Sequence, residues 1–112
     1  MTKEDKELLL KDLCARLPYG VKIHIGKTQR IEEFGDINLR IGAINNTYAD
    51  VRPYLFPLSS MTEEQEKEWR YTLSSDGNIT YETVDWCNKN HFDYRGLIPM
   101  GLAIDATGLN VY

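Results

Sequence analysis

One short run gathers a cysteine, a histidine, a carboxylate and a guanidinium, Trp86-Cys87-Asn88-Lys89-Asn90-His91-Phe92-Asp93-Tyr94-Arg95-Gly96-Leu97-Ile98. Within it His91, Asp93 and Arg95 alternate, and in an extended segment alternate residues point to one side of the backbone. A histidine with a carboxylate partner can act as an oriented general base, and a guanidinium can clamp an oxyanion or phosphate. Such a centre would belong to a small hydrolase or nuclease. The competing reading is structural: Asp93 accepts bonds from turn amides, Arg95 pairs with it or with a nearby carbonyl, and His91 bonds a backbone carbonyl. No recognisable nucleophile accompanies the three, and short polar motifs recur by chance, so the structural reading is the expected one. On that reading Phe92 and Tyr94 turn into the core, while His91, Asp93 and Arg95 line a polar boundary between a helix and the last strand. Arg95-Gly96 marks a tight turn, where glycine meets no penalty at positive φ.

Other reactive groups have equally plain alternatives. Cys87 stands four residues before His91 on one helix face, the spacing of an activated nucleophile. A catalytic thiolate usually sits at a helix N-terminus or in an electropositive cleft, however, and Cys87 falls late in a helix carrying Glu82 and Asp85. Cys14 and Cys87 belong to no metal or redox spacing, and both are expected to be buried, reduced thiols. His24 could join His91 and Asp93 in a two-histidine, one-carboxylate set, but nothing in the sequence brings them together. No metal and no cofactor is expected. Gly26-Lys27-Thr28 lacks the upstream glycine and the strand–loop–helix setting of a phosphate-binding loop.

A third candidate is a surface. Lys22, His24, Arg30, Arg40 and Arg52 lie on neighbouring extended segments with Tyr19, Tyr48 and Tyr54 close by, a mixture suited to single-stranded nucleic acid. Glu32, Glu33, Asp36 and Asp50 neutralise the same region across strands, so nucleic acid is not favoured.

The elements that must position these groups are legible from periodicity and punctuation. Thr2 with Asp5 resembles a capping box, and Leu9, Leu10, Leu13 and Leu17 recur at spacings of three and four. This predicts a helix over Lys3–Arg16, stopped by Pro18 and Gly20. Val21, Ile23 and Ile25 alternate with polar residues as a strand, Arg30–Phe34 forms a shorter one, and Ile37, Leu39, Ile41 and Ala43 mark another that Asn45-Asn46 turns. Asp50–Leu58 is extended, but Pro53 and Pro57 predict an edge strand or a linker laid over the sheet. Ser60 with Glu63, or Thr62 with Gln65, opens a second helix, with Trp69 and Leu73 on its inner face. A third helix covers Thr80–Asn90, and Leu97–Asp105 gives a last extended segment. The order predicts an α+β fold: an N-terminal helix, a small antiparallel meander of three or four strands, two further helices and a short terminal strand. The core should gather Leu10, Leu13, Val21, Ile23, Ile37, Leu39, Ile41, Trp69, Val84 and Leu102.

At 112 residues the chain is expected to form a single domain, residues 1–112, with enough core to fold without metal or disulfide staples. Its 42% apolar and 27% charged content are those of a globular protein. The only apolar run near the start, Leu8-Leu9-Leu10, is too short for a signal core, and no segment approaches a membrane span, so the expected location is the cytoplasm. Net charge is −4, with nine acids and four bases in residues 59–112. Glu63, Glu64, Glu66 and Glu68 cluster at a helix start, where the macrodipole favours negative charge.

Three strings carry a resemblance: Asp12-Leu13-Cys14-Ala15-Arg16-Leu17-Pro18-Tyr19-Gly20-Val21, Arg52-Pro53-Tyr54-Leu55-Phe56-Pro57-Leu58-Ser59-Ser60-Met61-Thr62, and the run around His91. In that order they resemble a group of small uncharacterised proteins of Bacteroides-type bacteria and their phages or mobile elements. The resemblance implies an origin and no activity. Together these readings lead to a non-catalytic binding or interaction protein. It would meet a protein partner or associate with itself, through Tyr54 and Phe56 with Arg52, Lys22, His24 and Arg40 nearby, and Trp69 as a further aromatic.

Overall fold

The computed structural model describes residues 2–26, 30–35 and 51–112, with the side chain of Arg30 left aside. The predicted strand over Ile37–Ala43, its turn at Asn45-Asn46, the core positions Ile37, Leu39 and Ile41, and the binding candidate Arg40 lie outside the described residues.

The fold is α+β, as the residue pattern predicts. Helix α1 spans Lys3–Arg16, because Thr2 and Asp5 close a reciprocal capping box at one end: the Asp5 amide donates to Thr2 Oγ1 and the Thr2 amide to Asp5 Oδ2. At the other end the chain tightens into a 3-10 turn, Leu17–Tyr19, and reverses at Gly20, whose φ of 68° lies in the left-handed region that glycine enters freely. Strands β1 (Lys22–Ile25) and β2 (Arg30–Glu33) pair antiparallel, with Lys22 opposite Glu33. Strand β3 (Val51–Pro57) lies on the other side of β1, so the described strands run β2-β1-β3 rather than in the sequential order of a meander. A 3-10 turn, Leu58–Ser60, leads to helix α2 (Glu63–Thr72) and then to α3 (Tyr81–Lys89). Both helices begin in capping boxes, Thr62 with Gln65 and Thr80 with Thr83. Two short strands follow, β4 (Phe92–Asp93) and β5 (Ile104–Asp105).

Two expectations need correction. The proline-bearing segment Val51–Pro57 is not an edge: β1 pairs antiparallel with Val51–Pro53, β5 pairs parallel with Tyr54–Leu55, and β4 pairs parallel with Phe56–Pro57. Pro53 ends the register with β1 and Pro57 ends the strand, so each missing N–H falls where a ladder stops. The Phe56 amide donates to the His91 carbonyl, and Leu55 accepts from Ala106, which makes the sheet mixed. The segment Leu97–Asp105 is extended only at Ile104–Asp105. Before that it coils, with the Leu102 amide bonded to the Leu97 carbonyl and Gly101 to Ile98, and Pro99 sits in the first part of the turn, where an amide is not required.

Leu9 and Leu13 of α1 meet Val21, Ile23 of β1, Leu55 of β3, and Phe34, Leu97, Leu102 and Ala103 in one buried cluster, with Leu10 half-buried against it. Trp69 and Val84 do not join it. They line a separate apolar cleft between the two later helices, with Leu58, Ile79, Thr83, Cys87 and Tyr94. Among the described residues no helix is long and apolar enough to cross a membrane.

Candidate functional site

The interior face of α1 carries charge as well as leucine. Asp12 and Arg16, one turn apart, are both 0% exposed, and Arg16 Nε donates to Asp12 Oδ2 at 2.9 Å. The remaining nitrogens of Arg16 reach backbone: Nη2 donates to the Phe92 carbonyl at 2.6 Å and Nη1 to that of Cys87 at 3.4 Å. The Cys87 carbonyl belongs to the last turn of α3, where helix carbonyls lack intrahelical partners and a cation is favoured. Asp12 takes a second cation, Arg95, whose Nε donates to Oδ1 at 3.2 Å. Arg95 Nη2 donates to the Tyr94 hydroxyl, and the Tyr94 ring lies against both guanidinium groups, 4.9 Å from Arg95 and 5.3 Å from Arg16. One buried carboxylate thus ties α1, the end of α3, β4 and the following bend together.

This network decides what the alternating triplet does. Arg95 turns to Asp12 rather than to Asp93. Asp93 is buried, and its two oxygens accept the Leu97 and Ile98 amides, each at 2.9 Å, so it nucleates the turn that opens the C-terminal segment. His91 has φ of 63°, in the left-handed region just past the end of α3 that glycine usually occupies. That conformation breaks the alternation by which His91 and Asp93 would share a side. The His91 ring stacks on Tyr112, with centroids 3.8 Å apart and planes 10° from parallel. Its Nδ1 is buried and has no hydrogen-bond partner among the described residues. Burial pushes its pKa down to about 4, and the positive charge of Arg16 acts in the same direction. The imidazole is neutral at pH 7 with no carboxylate orienting it. His91, Asp93 and Arg95 therefore serve three separate neighbours, and the predicted bond from His91 to a carbonyl is replaced by ring stacking.

Phe92 is buried as predicted, stacked on Trp86 at 5.4 Å, while Tyr94 is only half-buried beside the arginines. Tyr112, which no sequence motif marks, closes an aromatic chain through Phe56 to Phe92. Its hydroxyl donates to the Tyr54 carbonyl and accepts the Lys22 amide, and burial pushes its pKa up to about 12.

The thiols divide. Cys87 is buried, and burial pushes it up to about 11, against the pull of Arg16 in the other direction, so it is a protonated thiol at neutral pH. Cys14 is exposed, against expectation. The buried positions of α1 are Leu9, Asp12, Leu13 and Arg16, and position 14 falls outside that stripe.

On the sheet, His24 is half-buried and meets the edge of Tyr54, with ring centroids 6.3 Å apart. It stands opposite Arg52 in the β1–β3 register. Tyr54 is 5% exposed and Phe56 is half-buried, so the two aromatics assigned to a binding surface are part of the interior, while Arg52 is exposed and Lys22 half-buried. Among the described residues no three metal-ligating side chains gather as a metal site.

Large apolar side chains are accessible at Ile31, Met100, Leu109 and elsewhere, and the three most exposed lie on the α2–α3 hairpin. Tyr71 is 88%, Tyr81 95% and Ile79 65% exposed. They flank a knot of threonines that the sequence pattern does not announce. Thr80 Oγ1 donates to the Thr72 carbonyl at 2.7 Å, as does Thr83 Oγ1 at 3.0 Å, and Thr72 Oγ1 bonds Thr83 Oγ1. Trp86 Nε1 adds a bond to Glu68 across the hairpin, and Tyr19 bonds Asp85, which joins the hairpin to the end of α1. No family model, curated protein or solved structure matches the chain.

Proposed function

We propose that this is a non-catalytic interaction protein of phage or mobile-element origin, of the Bacteroides-type group its strings resemble, acting in the cytoplasm through a protein partner. The observation that carries the reading is how the reactive-looking groups are used. His91, Asp93 and Arg95 are each committed to a different structural neighbour, and the Cys87 thiol is buried and protonated. A general base needs a substrate proton within hydrogen-bond reach and a poised pKa, and His91 has an imidazole pushed to about 4 under a stacked tyrosine. The large apolar side chains left accessible on the helical hairpin are the kind of surface that partners cover.

The test is a pair of measurements on the full chain. Tagged protein expressed in a Bacteroides-type host and cross-linked in the cell should retain a discrete polypeptide at fixed stoichiometry. Purified protein should leave chromogenic phosphodiester and ester substrates at background rates. Turnover that disappears in His91→Ala while the far-ultraviolet dichroism is unchanged would overturn the reading.

A further inference from the structure

Apolar exposure and negative charge coincide on one supersecondary unit. Residues 62–90 hold seven carboxylates against three basic side chains, a net charge of −4, which equals that of the whole chain. Outside that span acids and bases number ten each. The same unit borders the apolar cleft of about 50 Å³, whose lining includes Leu58, Trp69, Ile79 and Val84. Leu58 and Trp69 are shared with an adjoining groove of about 260 Å³ that Met61 and Glu66 complete. Leu58 and Ile79 at the mouth are 40% and 65% exposed. A cavity that size admits the tip of one aliphatic side chain, since a water molecule occupies about 30 Å³ in the liquid.

We propose that this cleft receives an apolar anchor from a basic polypeptide segment, whose lysines or arginines meet the carboxylates that the hairpin carries in excess, Glu66 beside the cleft among them. The proposal rests on the interaction-protein reading and adds the surface and the partner's chemistry. Charge selects among occupants. A second copy docking through the same face would set −4 against −4, and nucleic acid would bring phosphates to carboxylates; like charges brought together cost affinity and slow encounter. A basic segment gains on both counts, and the apolar anchor supplies the central contact that charge alone does not. Glu66 already pairs with Arg70 at 2.6 Å, but both are largely exposed, and such a pair holds little energy against exchange.

The experiment is a titration of the isotope-labelled full chain, followed by amide chemical shifts. Three synthetic 14-residue peptides serve as probes: one of lysine and leucine at helical spacing, its glutamate–leucine counterpart, and a lysine–serine peptide without apolar anchors. The lysine–leucine peptide should bind about tenfold more tightly than either other peptide, with shifts centred on Leu58, Trp69 and Ile79. Ile79→Asp, at an exposed position outside the helices, should weaken it by about fivefold or more. In Glu64→Lys/Glu82→Lys the preference for lysine over glutamate should shrink or invert, with the fold checked by dichroism. Equal affinity for the three peptides, no shifts, or shifts confined to other surfaces would overturn the proposal. Shifts at these amides on raising protein concentration without peptide would overturn it too, in favour of a second copy. None of these results would by itself remove the broader reading, which fails on turnover instead.

Discussion

Around Asp12 the molecule buries charge, and on the α2–α3 hairpin it exposes aromatic and aliphatic surface, so each region inverts the usual distribution in its own way. In the first, Asp12 accepts from two arginines, Arg16 finds its further acceptors in the backbone of α3 and β4, and Arg95 finds its second in the Tyr94 hydroxyl. In the second, the threonine knot and the Glu68–Trp86 bond hold two short helices together while Tyr71, Ile79 and Tyr81 remain in solvent. The difference teaches that the polar side chains around Asp12 are used to join elements of the scaffold. Asp93 and Arg95 are fasteners, whereas the side chains that the hairpin exposes most, Tyr71, Ile79 and Tyr81, fasten nothing among the described residues.

The comparison breaks first at Asp12. Replacing it by alanine leaves Arg16 buried without its carboxylate and frees Arg95, and breaking a buried ion pair costs about 3–5 kcal/mol. Chemical denaturation should show that loss, and Asp12→Asn should recover part of it, because its single amide oxygen still accepts from one of the two arginines. A change under about 1 kcal/mol would place the network outside the scaffold.

Asp93→Ala should follow, at roughly 2–4 kcal/mol, because two turn amides lose their acceptor at once and unsatisfied buried groups each cost about 1–3 kcal/mol. Thermal melts of the two proteins side by side measure it. An unchanged or higher melting temperature would point to a residue held for activity at some expense of stability.

His91 sharpens the comparison through pH. Its folded pKa is pushed to about 4, below the ordinary 6.5, so between those values the unfolded chain binds the extra proton. The contribution to stability is complete above about pH 6.5, declines as the pH falls towards 4, and flattens below. The total is on the order of 2 kcal/mol once partial exposure is allowed for. His91→Asn, which tolerates the left-handed backbone, should remove that slope between pH 6.5 and 4 while leaving the carboxylate-driven loss at lower pH. Identical pH profiles for wild type and variant would show that the stacked ring is not desolvated as its geometry implies.

The smallest effect should come from the hairpin. Tyr71→Ser and Tyr81→Ser should each change stability by no more than about 0.5 kcal/mol, since both rings are almost fully exposed. A larger loss would mean that these tyrosines pack against the scaffold, and the contrast between the regions would weaken.

Local signals were readable because their partners sit within one turn of the chain. The capping box at Thr2, the choice between Ser60 and Thr62 for α2, the leucine spacing of α1 and the alternation of β1 involve residues at most four positions apart, whereas the Thr80–Thr83 box that opens α3 lacks the usual Glu or Gln at its third position. The strand Val51–Pro57 was legible as extended but not as interior, because two of its neighbours are two-residue strands with no periodicity to detect. The triplet at 91, 93 and 95 read as one cluster because alternation assumes a continuous strand. The left-handed turn at His91 and the bend after Asp93 remove that continuity.

By itself the amino-acid order determined the α+β class, the three described helices with the ends of α1, and the expectation that Asp93 would meet turn amides. Asp12 and Arg16 stand one helical turn apart in any helix over these residues, but tertiary structure alone decided that the pair would be buried, that Asp12 would also take Arg95, 83 residues away, and that Arg16 would cap carbonyls 71 and 76 residues on. It alone seated Tyr112 between His91 and the Tyr54 carbonyl. The physical reason is separation along the chain. Caps and amphipathic stripes are selected by backbone geometry over a few residues, whereas the distant partner of a buried charge is whichever group packing brings within hydrogen-bond reach, and an i,i+4 Asp–Arg pair in a helix has the same local signature whether it faces water or the interior.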